Sequence, residues 1–317
     1  MVKKLPAIGV RDVGGRGSLD ERHYFGSSET ERKLSCLRQY LNAYSVALKN
    51  KGFARMYIDA FAGTGSRTET RAVLPFMGQG DETTVEVTTQ GSARIALETD
   101  PSFHHVMLVE KDAERAAALR KVLLEYPNVR AMVREDDANA AVQRVCKRYD
   151  WQRERKRGVV FLDPYGMEVT WETVAAIAET EALDCWYFFP LSGLYRNASK
   201  DPERLDASKI AVLNKVLGTT CWRDEWYETT AHQLDIFGGT IVEERRSVDV
   251  NRIEEWVGNR LRSVFKGGVL KPMRLYHPGG APMASLFFAI SNPNKAAVRL
   301  ATEIAGHILK RGISSHV

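Results

Sequence analysis

Two short segments of the chain combine an acidic residue with turn-forming residues directly after an apolar run. The first, residues 56–65, reads MYIDAFAGTG, and the second, residues 159–166, reads VVFLDPYG. An apolar run that stops at an acidic residue is typical of a buried parallel strand, whose carboxyl end presents polar groups to a ligand. The two segments therefore predict a cofactor pocket next to a substrate pocket.

The turn after the first run contains Gly63 and Gly65. Without side chains at these positions, a ligand can approach the backbone N–H groups closely. Thr68 stands where a dinucleotide-binding G-x-G-x-x-G motif has its third glycine, so the pattern does not indicate pyrophosphate binding. A tight turn with a purely structural role is the alternative at this point.

Acidic residues also follow the next two apolar runs. Glu110 ends the run at 105–110, where its carboxylate can accept hydrogen bonds from both hydroxyls of a ribose, and we expect Asp112 to cap the following helix. Asp136 and Asp137 follow the run at 129–134. They are candidates both for an adenine amino group and for a helix cap, and capping preferences alone do not decide between the two.

The segment Asp163-Pro164-Tyr165-Gly166 is the most specific element of the sequence. An exocyclic amine needs an acceptor that holds its N–H and an aromatic ring on which its base can stack; Asp163 and Tyr165 supply both. A β-turn with proline in its second position fits the same four residues. The location at a strand end favours the functional interpretation.

These segments belong to an alternation of apolar strands and helices, which predicts an α/β fold with a mostly parallel sheet covered by helices on both faces. A Gly/Pro turn at 278–280 predicts an antiparallel C-terminal hairpin, followed by a last helix from Asn294. The predicted strands are 56–61, 105–110, 129–134, 158–163 and 184–190, and the predicted helices before the hairpin begin near residues 30, 92, 112, 138 and 171.

The alternation also suggests a domain organisation. We expect an irregular N-terminal arm over 1–28, a Rossmann-like cofactor-binding core over 29–194, a mostly helical insertion over 195–265, and a hairpin and helix over 266–317 that complete the core. The polar stretch at 66–90 interrupts the core where a helix usually starts, and a segment of this length at the ligand edge suggests a lid.

Composition narrows the class of protein. The chain has 317 residues, 44% of them apolar, and a formal net charge of +5. This charge describes a mixed surface, which permits a nucleic-acid partner but does not establish one. Its four cysteines lack the spacing of a zinc or iron–sulfur site. No signal peptide or membrane-spanning run is evident, so we expect a cytoplasmic protein without membrane contact.

In this order, the motifs resemble those of class I S-adenosylmethionine (SAM)-dependent methyltransferases. The chain is most similar to the bacterial family of three-Cys-motif partner proteins over roughly residues 30–310, through four segments. These segments are YIDAFAGTG at 57–65, GSA at 91–93, FLDPYG at 161–166 and LFFAISN at 286–292. The resemblance implies a Rossmann-like methyltransferase fold, SAM as the cofactor, and a three-Cys-motif protein as a partner.

The resemblance also implies roles for individual residues. Asp59, Phe61, Gly63 and Gly65 would line the methionine part of SAM, Glu110 its ribose, and Asp136 or Asp137 its adenine. Asp163, Pro164 and Tyr165 would occupy the place of the Asp-Pro-Pro-Tyr motif, one proline of which is missing here. The implied activity is methylation of an exocyclic amino group of a nucleic-acid base, in DNA or RNA.

Two other functions are compatible with the sequence. A non-catalytic scaffold would keep the fold and work with a neighbouring three-Cys-motif protein. A metal-dependent nuclease would instead use Asp59, Glu110, Asp136 and Asp163 to hold Mg²⁺.

Overall fold

A computed structural model describes residues 19–73, 83–233 and 240–314 of the chain. The strands of these residues, in chain order, are β1 (Ala54–Asp59), β2 (Ser66–Val73), β3 (Thr83–Gln90), β4 (His105–Glu110), β5 (Ala131–Glu135), β6 (Lys156–Leu162), β7 (Leu183–Phe189), β8 (Tyr227–Gln233), β9 (Thr240–Arg246), β10 (Gly268–Val269), β11 (Met273–Tyr276) and β12 (Pro282–Ile290). The α-helices are α1 (Leu19–Leu48), α2 (Ser92–Leu97), α3 (Ala113–Leu123), α4 (Ala138–Arg148), α5 (Trp171–Glu179), α6 (Leu191–Asn197), α7 (Ala207–Leu217), α8 (Trp222–Trp226), α9 (Val250–Arg262) and α10 (Lys295–Ser314), and Pro202–Arg204 forms a 3₁₀ turn.

The main sheet has the order β10-β12-β7-β6-β1-β4-β5, and β11 also pairs with β12. The five strands from β7 to β5 are parallel, whereas β12 runs antiparallel to β7, β10 and β11. The predicted fold class is confirmed: an α/β fold with a mostly parallel sheet and an antiparallel hairpin, β11–β12, at its C-terminal end.

Alternate side chains of the central strands point to opposite faces of the sheet, and each face is covered by a layer of helices. Ile58 and Val160 point into one apolar core, which includes residues of α4, α5 and α9. Tyr57, Val159 and Phe161 point into the other, which includes residues of α1, α2 and α10. Because successive side chains of a strand face opposite sides, a run that is apolar at every position is buried on both faces. That burial fixes the register of the strands that carry the site.

Helix α1 begins at Leu19, so the prediction of an irregular arm is wrong for residues 19–28; residues 1–18 lie outside the described part. The prediction rested on the high content of Gly, Ser and charged residues over 1–28. In the structure, the helix runs through Gly26, whose cost of about 1 kcal/mol relative to alanine the neighbouring helix formers offset. The helix ends at Leu48.

Within the segment 66–90, residues 66–73 and 83–90 pair as antiparallel strands, β2 and β3, which we call the β2–β3 hairpin; residues 74–82 lie outside the described part. Its two ends meet, because Gly91 N–H donates to the Gly65 carbonyl at 3.0 Å. A Cβ on Gly91 would lie 3.0 Å from the Gly65 carbonyl carbon and oxygen, so this close approach requires glycine. The hairpin therefore leaves and rejoins the core at one point, and α2 starts beside the Gly63–Gly65 turn as it would without the insertion.

The region 195–265 is less helical than predicted, because β8 and β9 form a two-stranded antiparallel sheet between α8 and α9. These strands carry many charged and polar residues (YETTAHQ and TIVEERR), which hide the alternation typical of a strand. Trp222 and Trp226 are buried packing residues of this region.

None of the helices in the described ranges combines the length and apolar character needed to cross a membrane. The cysteines are free thiols; Cys36, Cys146 and Cys185 are buried and Cys221 is exposed.

Candidate active site

A cavity of about 1150 Å³ lies at the carboxyl edge of the main sheet, where β6, β1, β4 and β5 end side by side. Most of the residues predicted for the site line it. These are Phe61, Gly63, Gly65, Glu110, Asp136, Asp137, Asp163 and Tyr165. Asp59 and Pro164 are buried behind its wall instead, so the structure separates them from the other predicted residues.

Glu110 connects the end of β4 to the glycine turn after β1. Its Oε2 accepts the N–H of Gly63 at 3.0 Å, and its Oε1 accepts the N–H of Asp112 at 2.9 Å. Gly63 has φ +61°, and a Cβ there would meet no atom within 4 Å, so glycine is needed for its conformation and not for lack of space. The buried Glu110 carboxylate thus holds the turn open toward the cavity, and each oxygen keeps a further lone pair for a ligand.

Asp59 lies beneath this turn with no exposed surface. Its carboxylate accepts the N–H of Phe61 and the hydroxyl of Tyr57, each at 3.3 Å, and the hydroxyl of Ser92 also hydrogen-bonds to it. Burial is the main cause that raises the pKa of Asp59 to about 7; the nearby charge of Asp163 contributes to this rise, and the hydrogen bonds oppose it. Asp59 therefore positions the β1 turn from below.

The acidic residues after β4 and β5 divide into caps and a cavity residue. Asp112 caps α3 by accepting the N–H of Arg115 at 2.9 Å, as predicted, and Asp137 caps α4 by accepting the N–H of Ala140 at 3.0 Å. Asp136 caps no helix: it accepts the N–H of Asp137 and forms an ion pair with Arg144. The choice that the sequence left open thus resolves into a capping role for Asp137, with Asp136 as the candidate for a ligand contact.

Asp163 forms an ion pair with Lys33 that the sequence analysis missed. Lys33 Nζ lies 2.6 Å from Asp163 Oδ2, and the two side chains are 10% and 23% exposed. The ammonium group also lies 4.2 Å from the centre of the Phe188 ring, within the range of a cation–π contact. Both charged groups line the cavity, so this end of the site contains an acceptor next to a donor.

One sequence signal could have identified Lys33. It lies four and eight positions before Leu37 and Leu41, on the face of α1 that packs against the sheet. Lysine is rarely buried without a partner, so a lysine on the apolar face of a helix indicates a charged partner elsewhere in the fold. The identity of that partner, 130 residues away, depends on the tertiary structure.

Tyr165 lines the cavity and is 97% exposed. The chain bends over residues 165–167, and the Tyr165 ring is not among the described residues that pack against either apolar core. An exposed aromatic ring at the mouth of a polar cavity can stack against a flat ligand.

The four carboxylates of the nuclease alternative do not assemble into a cation site. Within the described ranges, no group of three or more His, Cys, Asp and Glu side chains is placed to hold a metal ion. Instead, Glu110 accepts backbone N–H groups and Asp163 is paired with Lys33.

No protein-family model and no curated protein matches the chain. Solved structures that resemble it include protein LPL1258 of Legionella pneumophila, with a TM-score of 0.46, 13% identity, and coverage of 90% of this chain and 93% of that one. The putative methyltransferase yhhF of Escherichia coli has a TM-score of 0.29, 13% identity, and coverage of 66% and 86%. Trm1 of Pyrococcus horikoshii, solved with S-adenosyl-L-methionine, has a TM-score of 0.36, 12% identity, and coverage of 93% and 76%.

All three TM-scores lie below 0.5, so these likenesses carry no argument about activity. The fold assignment rests on the strand order and directions of the chain itself, and the resemblance to three-Cys-motif partner proteins stays a hypothesis.

Proposed function

We propose that the chain is a SAM-dependent methyltransferase that acts on an exocyclic amino group of a nucleic-acid base. The observation that carries this proposal is one cavity with two different ends: the Gly63 turn held by Glu110 at one end, and Asp163 with the exposed Tyr165 ring at the other. The first end suits a polar nucleoside-like cofactor, and the second suits a flat acceptor that donates an N–H.

The residues of the first end fit SAM. The volume, about 1150 Å³, exceeds that of most small-ligand pockets and leaves room for a cofactor and a base together. The free lone pairs of Glu110 can accept both ribose hydroxyls, and Asp136 can accept an adenine N–H. Gly63 and Gly65 allow the methionine part to approach the backbone, and Phe61 contributes an apolar wall.

Because Asp59 is fully buried, we assign it a different role from the cofactor contact that the resemblance implied. We assign it to positioning: its carboxylate fixes Phe61 N–H, and thereby the direction of the chain entering the Gly63–Gly65 turn.

The residues of the second end orient the acceptor. When bound, SAM supplies a methyl group activated by its positively charged sulfur. Asp163 accepts one N–H of the amine, which fixes the direction of the nitrogen lone pair, and Tyr165 stacks on the ring that carries the amine. Asp163 can also receive the proton that the nitrogen loses. Most of the catalysis in this scheme comes from positioning.

Transfer of a tritiated methyl group from SAM to purified total RNA and to genomic DNA tests the proposal. We expect label in one of the two pools, and loss of that label with the Asp163→Ala variant, whose affinity for SAM is measured in parallel. Binding of SAM without transfer to either pool would contradict the proposed activity and favour the non-catalytic scaffold. Label in the pool with undiminished activity of Asp163→Ala would contradict the assigned role of Asp163.

A further inference from the structure

The Lys33–Asp163 pair offers a ligand a hydrogen-bond donor as well as the acceptor proposed for the amine. Asp163 contributes a negatively charged acceptor and Lys33 a positively charged donor, and their charged atoms are only 2.6 Å apart. The Lys33 ammonium has three N–H donors, of which the contact with Asp163 uses one. Phe188 supports it from one side through its ring face, and a remaining N–H can serve a ligand in the cavity.

The burial of Lys33 costs folding free energy, so its presence at this position needs an explanation other than stability. Removing a lysine ammonium from water has a large desolvation penalty, and a buried ion pair contributes little net stability compared with apolar residues of similar size. A methionine or leucine on this face of α1 would satisfy the packing against Leu37 and its neighbours. A buried ion pair that lines a ligand cavity is therefore better explained by recognition than by folding.

The donor Lys33 next to the acceptor Asp163 is complementary to a base edge on which an acceptor lies next to a donor. On the Watson–Crick edge of adenine, the amino group N6 is a donor next to the acceptor N1; on that of cytosine, N4 is a donor next to the acceptor N3. On the same edge of guanine, the amino group N2 stands next to N1–H, a second donor, which a lysine ammonium repels. The pair thus matches adenine and cytosine and opposes guanine.

We propose that Lys33 is a specificity-determining residue that donates a hydrogen bond to the ring nitrogen next to the acceptor amine, so that the enzyme selects adenine or cytosine. This inference rests on the proposed function, because it assumes that a base enters the Asp163 end of the cavity. It adds a second contact and a restriction on the substrate that the Asp-Pro-Tyr segment alone does not provide.

The identity of the methylated nucleoside is the first test. Total RNA and genomic DNA are treated with the enzyme and SAM that carries a deuterated methyl group, digested to nucleosides, and analysed by mass spectrometry. We expect labelled N6-methyladenine or N4-methylcytosine. Labelled N2-methylguanine would overturn the role of Lys33 and leave the proposed function intact, whereas absence of any labelled nucleoside would overturn both.

The second test examines the contact itself, on an oligonucleotide that contains the mapped site. For adenine, 1-deazaadenine removes the ring nitrogen next to the amine, and 7-deazaadenine is the control that keeps it; 3-deazacytosine serves if the base is cytosine. We expect 1-deazaadenine to lower kcat/KM about tenfold to a hundredfold, mainly through KM, which is the range of one hydrogen bond to a charged group. We expect 7-deazaadenine to behave like adenine.

Lys33→Met, which keeps the length and apolar stem of the side chain, should remove this difference between adenine and 1-deazaadenine. Lys215→Met, at another of the three lysines that line the cavity, is the matched control and should retain the difference. A thermal melt and the SAM affinity of each variant establish that it is folded. Lys33→Arg keeps positively charged N–H donors and should retain the difference, and the wild-type comparison below tests the proposal if Lys33→Met does not fold. Equal rates with adenine and 1-deazaadenine in the wild-type enzyme would overturn the proposal without any variant.

Discussion

The two ends of the cavity are built differently. At the end that we propose for the cofactor (the cofactor end), Glu110 is fixed by two backbone N–H groups, and Asp59 fixes the adjoining turn from below. At the end that we propose for the substrate (the substrate end), Asp163 is fixed by one side chain from a distant helix, and Tyr165 is 97% exposed. Backbone contacts hold the first end in place before any ligand arrives, whereas in the proposed function the second end would gain its remaining contacts from the substrate.

This difference predicts that variants at the two ends affect different steps. Changes at the cofactor end should alter SAM affinity and stability, and changes at the substrate end should alter transfer and KM while the fold and SAM affinity persist.

The largest effect is expected for Asp163→Asn. The amide loses the charge that accepts the amine N–H, so we expect methyl transfer to fall by about a hundredfold to a thousandfold, the range for removal of one charged or polar group that orients a reacting centre. The variant also leaves Lys33 without its anionic partner, which lowers stability, so the assay temperature must lie below its melting transition. Asp224→Asn, an exposed aspartate of α8, is the control and should have no effect. A transfer rate within a factor of about three of wild type would contradict the role of Asp163.

The pH dependence of stability is the next largest effect. Burial raises the pKa of Asp59 and of Asp184 to about 7, from ordinary values near those of exposed aspartates. Between about pH 4 and pH 7 the folded protein then binds more protons than the unfolded chain, so the free energy of unfolding decreases as pH rises through this window and levels off above it.

Asp59→Asn tests this expectation because the amide oxygen still accepts the N–H of Phe61 but carries no charge. Its free energy of unfolding, measured by urea denaturation, should exceed that of wild type at about pH 8 by roughly 1–3 kcal/mol and show less difference at about pH 5. Equal pH profiles of the two proteins would contradict the raised pKa.

Tyr165→Ala tests the role of the exposed ring at the substrate end. Because the ring is almost fully exposed, we expect no change in melting temperature, whereas loss of base stacking should raise KM for the nucleic acid about tenfold. Tyr165→Phe retains the ring and should behave like wild type. An unchanged KM in Tyr165→Ala would remove this residue from the substrate end.

Glycine variants produce the smallest expected effect and act on the cofactor end. Gly65 has φ +77°, and a Cβ there would lie 3.0 Å from Leu119 Cδ2, so Gly65→Ala should lower stability by about 1–2 kcal/mol. Gly63→Ala isolates the cost of the positive φ, since a Cβ at Gly63 meets nothing within 4 Å. Gly166→Ala, at an open position without positive φ, should be neutral, and a loss as large as that of Gly65→Ala would contradict this explanation.

Features with a local sequence signal were predictable, and features that depend on contacts between distant residues were not. The strands β1, β4, β6 and β7, the helices between them and the β11–β12 hairpin were predictable because apolar runs buried on both faces leave a continuous signal. That Glu110, Gly63 and Gly65 meet at one cavity was also predictable, because each lies at or just after a strand end; their contact with a cofactor stays a prediction. The sequence did not predict the full burial of Asp59, which depends on Ser92 and Tyr57 closing over it.

The remaining features depend on tertiary contacts that no local pattern encodes. Lys33 meets Asp163 only because α1 packs against the sheet edge, and β8 and β9 stabilise each other despite polar sequences. The β2–β3 hairpin was identified as an insertion but not as strands, and its role as a lid stays a prediction.

The most direct test of the central claim is isothermal titration of the folded chain with SAM, together with the Glu110→Ala variant. The account predicts micromolar binding by wild type and a loss of at least about tenfold in Glu110→Ala, because Glu110 both holds the Gly63 turn and faces the ribose hydroxyls. No binding of SAM by intact wild-type protein would contradict the assignment of this cavity as a methyltransferase site.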